Sequence, residues 1–381
     1  TAYEIVDCDW SSDVCSSDLG NAPRFTAPHA KALSRAVEPD FAQRLVRWQR
    51  KHGRHDLPWQ ENRDPYRVWL SEIMLQQTQV STVIPYYLRF LQTFPTVADL
   101  AQAPLDEVMA LWTGLGYYSR ARHLHRCAQQ VMQMWQGQFP RTSLELVTLA
   151  GIGPSTAAAI ASICHGERVA IFDGNVQRVL ARHTAFEGDV AQTSSLRALR
   201  ECADRVLPES VDMPTYTQAI MDLGATVCTP RQARCEGCPL ASDCQALAQG
   251  RVAELPIKTR KLKRQSQSWW LLAIHDPRWG IWLERRPQTG IWAGLYCLPV
   301  FTSREALCAS LPQKAPAQWV ERPAHLHVLT HRDLHLHVCE WHGLAGPAPQ
   351  AQGQWFSLAQ AQGLGLPKPV SEYLNSVRDA A

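Results

Sequence analysis

The chain has 381 residues, with 38 Lys and Arg against 35 Asp and Glu, a formal net charge of +3 at pH 7 and a hydrophobic share of 45%. That length and balance predict two or three globular domains with full cores and exclude collagen-like, coiled-coil and disordered classes. No run approaches the ~18–20 apolar residues of a membrane span, and so small a net charge leaves nucleic-acid binding to local basic clusters.

Residues 1–24 are expected to be a non-native or disordered leader. The first twenty, TAYEIVDCDWSSDVCSSDLG, have neither the basic start nor the apolar stretch of a secretory signal, and they show no helical or strand period. Cys8 and Cys15 therefore stay out of the functional counts. Residues 25–250 read as one mostly helical domain: Phe41-Leu45-Val46-Trp48, Val68-Trp69-Ile73-Met74-Val80 and Leu124-Cys127-Ala128-Val131-Met132 recur near a 3.6 period. Pro85, Pro95, Pro104, Pro140 and Pro154, with Gly114, Gly116, Gly151 and Gly153, are expected to cut it into short helices. Residues 251–267 form a basic linker, in which Lys258, Arg260, Lys261, Lys263 and Arg264 stand without an acid among them. Such a strip suits a solvated connector and a phosphate contact alike. From 268 to 381, Trp270–Ile274, Gly280–Arg285 and His325–Trp341 favour strands between Gly/Pro turns. The fold class is thus multidomain, a helical domain followed by a smaller α+β domain.

Four patterns carry chemistry. Glu72 borders the apolar stripe Trp69-Ile73-Val80, so partial desolvation is expected to raise its pKa and keep it protonated near neutrality; a surface glutamate is the plainer alternative. Asp173, in Phe172-Asp-Gly-Asn-Val176, follows an apolar run and precedes a helix, the place of an N-cap. Such a cap facing a cleft can stay ionised opposite a protonated Glu72, and acid-assisted cleavage of a glycosidic bond needs two carboxyls held in different states. Gly151-Ile-Gly153-Pro-Ser155 allows a tight turn pinned by Ile152, with amides at the next helix start free to hold a phosphate; a simple helix cap explains it equally. Finally, Cys228-x6-Cys235-x2-Cys238-x5-Cys244 can wrap one metal centre. A single short knuckle favours a four-iron cluster over structural zinc. Arg231 and Arg234 stand in the loop between the first two thiols, well placed for a phosphate backbone. Cys127, Cys164, Cys202, Cys297, Cys308 and Cys339 read as packing residues. His325, His327, His331, His335 and His337 follow strand spacing more readily than a metal site.

Together, the hairpin, the Asp-Gly-Asn-Val segment and the four-cysteine spacing resemble the helix-hairpin-helix iron–sulfur DNA glycosylases. The chain is specifically similar to their MutY-type adenine branch through Leu-Ser-Glu72-Ile-Met-Leu-Gln-Gln-Thr-Gln, Gly114-Leu-Gly-Tyr117-Tyr-Ser-Arg-Ala-Arg and Leu223-Gly-Ala-Thr-Val-Cys228. The resemblance spans about 41–381 and implies a 4Fe-4S cofactor on the four cysteines (228–244). It implies a double-stranded DNA partner with adenine mispaired opposite 8-oxoguanine or G, and a monomeric protein of the bacterial cytoplasm with no membrane association. By the same resemblance Glu72 protonates N7 of a flipped adenine and Asp173 stabilises the oxocarbenium-like sugar. Trp59, Gln218 and Ser155 line the adenine pocket. Gln77, Tyr117, Gly151, Gly153, Asn175, Arg231 and Arg234 meet the DNA. Ser155 stands where strand-cutting relatives carry the Schiff-base lysine, which implies a monofunctional glycosylase leaving an abasic site. Gly290–Pro299 resembles a Nudix-like recognition domain without a Glu-rich pyrophosphatase box, and Thr330 and His331 match the loop that reads 8-oxoguanine. Departures are Leu329-Thr330 for the usual Phe-Ser, Ala150 for Pro, and Gln60 where an Arg commonly follows Pro-Trp.

Overall fold

The computed structural model describes residues 40–209, 212–259, 264–311, 319–341 and 353–380; the leader and Arg260, Lys261 and Lys263 of the basic strip lie outside these. In chain order the helices are α1 (Phe41–His52), α2 (Pro65–Leu75), α3 (Val80–Thr93), α4 (Val97–Gln102), α5 (Leu105–Trp112), α6 (Ser119–Trp135), α7 (Ser143–Leu146), α8 (Pro154–His165), α9 (Gly174–His183), α10 (Thr193–Arg205), α11 (Met213–Thr226) and α12 (Gln245–Ala248). Strands β1 (Gln265–Asp276), β2 (Gly280–Arg285), β3 (Tyr296–Cys297) and β4 (Val300–Phe301) follow, then α13 (Arg304–Ser310). β5 (Trp319–Glu321), β6 (His325–Val328), β7 (Arg332–Trp341) and β8 (Gly353–Phe356) precede α14 (Leu358–Gln362) and α15 (Lys368–Ala380).

By compactness the chain divides into two units that are not collinear with the sequence. Among the described residues, the first joins those up to 77 with those between 138 and 259, and the second joins 78–137 with those from 264 onward. The middle helices α3–α6, expected to belong to one helical domain, therefore group with the C-terminal part.

In the first unit, α2 starts where Asp64 accepts a hydrogen bond from the Arg67 N–H (2.9 Å) and Pro65 supplies a preset φ at the first helical position. One core gathers Phe41, Leu45 and Val46 of α1, Val176, Val179 and Leu180 of α9, Leu199 of α10, and Tyr216, Ile220 and Leu223 of α11. Each fully buried aliphatic side chain stabilises the unit by roughly 1.5–3 kcal/mol. α11 packs on α1, α8 and α9, and α8 packs also on α2, so α8 and α11 link the helix that carries Glu72 to the helix that Asp173 caps.

In the second unit, Pro85 lies inside α3 rather than ending a helix. Pro85 and Ser81 are both exposed, so the one carbonyl that loses its intrahelical partner sits on the solvent side. The sheet has the order β3-β2-β1-β7-β5, with β4 on β1, β6 on β7 and β8 on β2. β1 and β7 run parallel from Gln265↔Arg332 to Ile274↔Trp341. The apolar pattern begins at Trp269, yet pairing begins at Gln265: the polar Gln-Ser-Gln-Ser segment bonds to β7 while staying largely exposed, so the strand starts before the expected end of the linker. Among the described residues, no helix is long and apolar enough to cross a membrane.

Candidate active site

Glu72 sits on α2 and Asp173 caps α9, both in the first unit. Burial, and then the charge of Asp173, push the Glu72 carboxyl up to about 7. Asp173 adopts an extended backbone (φ −85°, ψ 178°); its Oδ1 accepts from the Val176 N–H at 2.8 Å and its Oδ2 from Asn175 Nδ2 at 3.1 Å. Burial raises the Asp173 pKa, and those hydrogen bonds together with the Arg178 charge oppose the rise. The charge of Asp173 adds to the rise at Glu72, whereas hydrogen bonds and a guanidinium hold the rise at Asp173 back. The pair is set apart by environment.

The cap is braced from behind. Arg178 donates to Asn175 Oδ1 (2.7 Å), to the Gly224 carbonyl (2.7 Å) and to the Cys228 carbonyl (2.7 Å). A Cβ on Gly224 would stand 2.6 Å from Asn175 Cβ, so only glycine lets α11 approach the Asp173 turn this closely. Asn175, expected at the DNA, thus has both ends of its amide bonded within the protein.

The hairpin between α7 and α8 uses its two glycines differently. Gly151 has φ 76°, in the left-handed region, whereas Gly153 is the extended N-cap of α8 and a Cβ there would meet nothing within 4 Å. Ile152, 3% exposed, anchors the turn in the core as its position suggests. Ser155 lies in the first turn of α8, partly buried. Trp59 is buried in a 3-10 turn (Pro58–Gln60) that packs on α2. Gln77 has φ 56°, an uncommon conformation for a side-chain-bearing residue, and its buried Oε1 meets no hydrogen-bond donor among the described residues, nor does that of Gln60. Gln218 donates from Nε2 to Asp222 Oδ1 (2.9 Å).

Cys228, Cys235, Cys238 and Cys244 line one recess, open at its mouth, together with Val227, Leu247 and Arg182. Burial pushes the Cys238 thiol up to about 12, and the other three sulfurs push the same way. Among the described residues no three His, Cys, Asp or Glu side chains converge as a single metal ion requires. Arg182, buried on α9, ties the loop down through the Thr229 carbonyl (2.7 Å), the Pro230 carbonyl (3.1 Å) and Cys228 Sγ (3.4 Å). Arg231 is exposed, while Arg234 turns its guanidinium onto the Thr226 carbonyl.

Residues 70–204 match the HhH-GPD superfamily base excision DNA repair proteins, and residues 269–376 match the NUDIX domain. The adenine DNA glycosylase of Buchnera aphidicola subsp. Acyrthosiphon pisum is 33% identical over 349 residues, covering 89% of this chain and 97% of that protein. The chain belongs to the adenine DNA glycosylase family. Human adenine DNA glycosylase is 44% identical over 215 residues, 54% of this chain and 39% of that one. A thermostable thymine-DNA glycosylase of known structure aligns with a TM-score of 0.50 at 25% identity, over 58% of this chain and 98% of its own. The glycosylase is accordingly a hydrolase of base excision repair, a DNA N-glycosylase with a helical HhH-GPD domain and a Nudix-like α+β domain.

In the second unit of this glycosylase, Tyr117 and Thr330 meet: their hydroxyls share a hydrogen bond of 2.8 Å. Tyr117 has φ 49°, and the Arg120 guanidinium lies 5.3 Å from its ring centroid. Burial lowers the Arg120 pKa to about 10, and its Nη2 donates to Thr78 Oγ1 and the Gly116 carbonyl, each at 3.1 Å. Leu329–His331 form the turn between β6 and β7, closed by the Leu329 N–H on the Arg332 carbonyl (2.8 Å). The other histidines alternate along the two strands, where His337 stacks on Trp270 (4.7 Å) and His335 bonds Ser266 (3.0 Å). Sequence reasoning missed Arg178, Arg182, Arg120 and Asp222. The i, i+4 spacing of Arg178 and Arg182 after the Asp173 cap was the available sign that one helix face carries two cations.

Proposed function

We propose that the enzyme is a monofunctional adenine DNA glycosylase acting on adenine opposite 8-oxoguanine or guanine. The observation that carries this reading is the carboxyl pair, with Glu72 pushed up to about 7 by burial and by the charge of Asp173, whose own rise is opposed by Val176, Asn175 and Arg178. Glu72 delivers its proton to N7 of the extruded adenine, turning an anionic leaving group into a neutral one. Asp173 stays fixed by Val176 and Asn175, with its charge facing the positive charge that develops on the sugar. Water then completes hydrolysis. Ser155 has no amine with which to form a Schiff base, so the product is an abasic site in an uncut strand. Trp59 and Gln218 are assigned to the adenine pocket. Gln77, Tyr117, the hairpin amides around Gly151 and Gly153, Arg231 and Arg234 are assigned to the DNA, and Thr330 with His331 to the opposite 8-oxoguanine.

The four thiols, soft donors in one recess beside the Arg182 guanidinium, fit an anionic iron–sulfur cluster, which supplies a rigid anchor for the loop when bound. Iron with a broad visible absorption band is expected in the purified protein; stoichiometric zinc in its place would contradict the assignment.

The test of the carboxyl pair is a single-turnover pH profile. Excision should be fastest while Glu72 is protonated and should fall as pH rises through about 7. Glu72→Gln should keep duplex binding and lose ~10²–10⁴-fold in rate. A variant as fast as the parent would remove Glu72 from the reaction.

A further inference from the structure

Asp222, on α11, is fully buried and gathers donors only. Its Oδ1 accepts from Arg54 Nε (2.7 Å) and from Gln218 Nε2 (2.9 Å), and its Oδ2 from Gln49 Nε2 (3.0 Å) and the Arg54 N–H (3.0 Å). A carboxylate paired with a guanidinium can accept but not donate, so the end of the Gln218 amide that faces it must be the NH₂. Gln218 and Asp222 stand four residues apart on one helix, where side chains meet on a common face. With Nε2 committed inward, the group Gln218 can present elsewhere is Oε1, an acceptor.

We propose that Asp222 is a positioning residue for base selection: it fixes the direction of the Gln218 amide so that the pocket offers an acceptor to the 6-position of the purine. This rests on the assignment of Gln218 to the adenine pocket. Adenine carries an amine there and donates to Oε1, whereas hypoxanthine carries a carbonyl and would face acceptor with acceptor. Without the fixed charge at 222 the amide can turn over and donate, and discrimination falls.

The experiment compares single-turnover excision of adenine and of hypoxanthine from otherwise identical duplexes by the full chain. Asp222→Asn should lower the adenine-to-hypoxanthine rate ratio about tenfold, the equivalent of one hydrogen bond. Gln218→Ala should lower it too, and adding Asp222→Asn to that variant should change the ratio no further, because the effect passes through the amide. A purely structural role for Asp222 would not vanish in the Gln218→Ala background. If Asp222→Asn alone does not fold, because it leaves Arg54 without its partner, the double variant Arg54→Gln/Asp222→Asn removes both members together and is read in the same way. An unchanged ratio in folded Asp222 variants, with a changed one in Gln218→Ala, would overturn the proposal and leave the pocket assignment intact. An unchanged ratio in Gln218→Ala would overturn the pocket assignment itself.

Discussion

A carboxyl whose pKa is about 7 in the folded protein and about 4.5 in the unfolded chain binds more protons folded than unfolded between those two values. For Glu72 the folded value is the higher one, so its cost to stability is absent below about 4.5, grows as pH rises, and is fully present above about 7. At 1.36 kcal/mol per unit this amounts to on the order of 3 kcal/mol. Glu72→Gln should therefore raise the Tm by several degrees at pH 8 and by little at pH 4, measured on the same preparation. Equal shifts at both pH values would mean that the Glu72 carboxyl is not desolvated. The same environment that penalises the fold keeps the acid loaded near neutral pH, a usual conflict between stability and activity at reactive sites.

The elements make separate demands on their glycines. Gly151→Ala forces a side chain into the left-handed region and should lower stability by roughly 1–2 kcal/mol. Gly153→Ala meets open space on an extended backbone, so the Tm should hold or rise slightly while duplex affinity falls. Loss of Tm in Gly153→Ala, with affinity intact, would place its role in the fold. Gly224→Ala should push α11 from the Asn175 turn, misplace Asp173 and cut excision on the order of 10²-fold with folding retained; unchanged excision would show that the turn can give way. Of these elements, the Asp173 cap, the buried Ile152 and the strands at 325–341 were legible in the sequence, since each depends on neighbours within a few positions. Pro85 inside α3 was not, because a proline on a solvent-facing turn costs less than its letter suggests.

On the scale of the molecule, what stayed hidden were partners far apart in sequence. Arg182 and Asp222 have the composition of surface residues, and only the fold brings them to the cysteine loop and to Arg54. Tyr117 and Thr330 were each legible as candidates, but their shared hydrogen bond joins positions more than two hundred residues apart. The division of the chain into interleaved units is hidden for the same reason, since helical periodicity does not say which unit a helix joins. The cysteine spacing, by contrast, announced its own recess. A net charge of +3 says little about DNA; local groups at the hairpin and the cysteine loop carry that assignment. The most direct measurement incubates the protein with a duplex holding adenine opposite 8-oxoguanine and resolves the strands with and without later alkali. The adenine strand should break only after alkali, as an uncut abasic product requires. Breaks without alkali would reveal a lyase, and no release of adenine would contradict the assignment of Glu72 and Asp173.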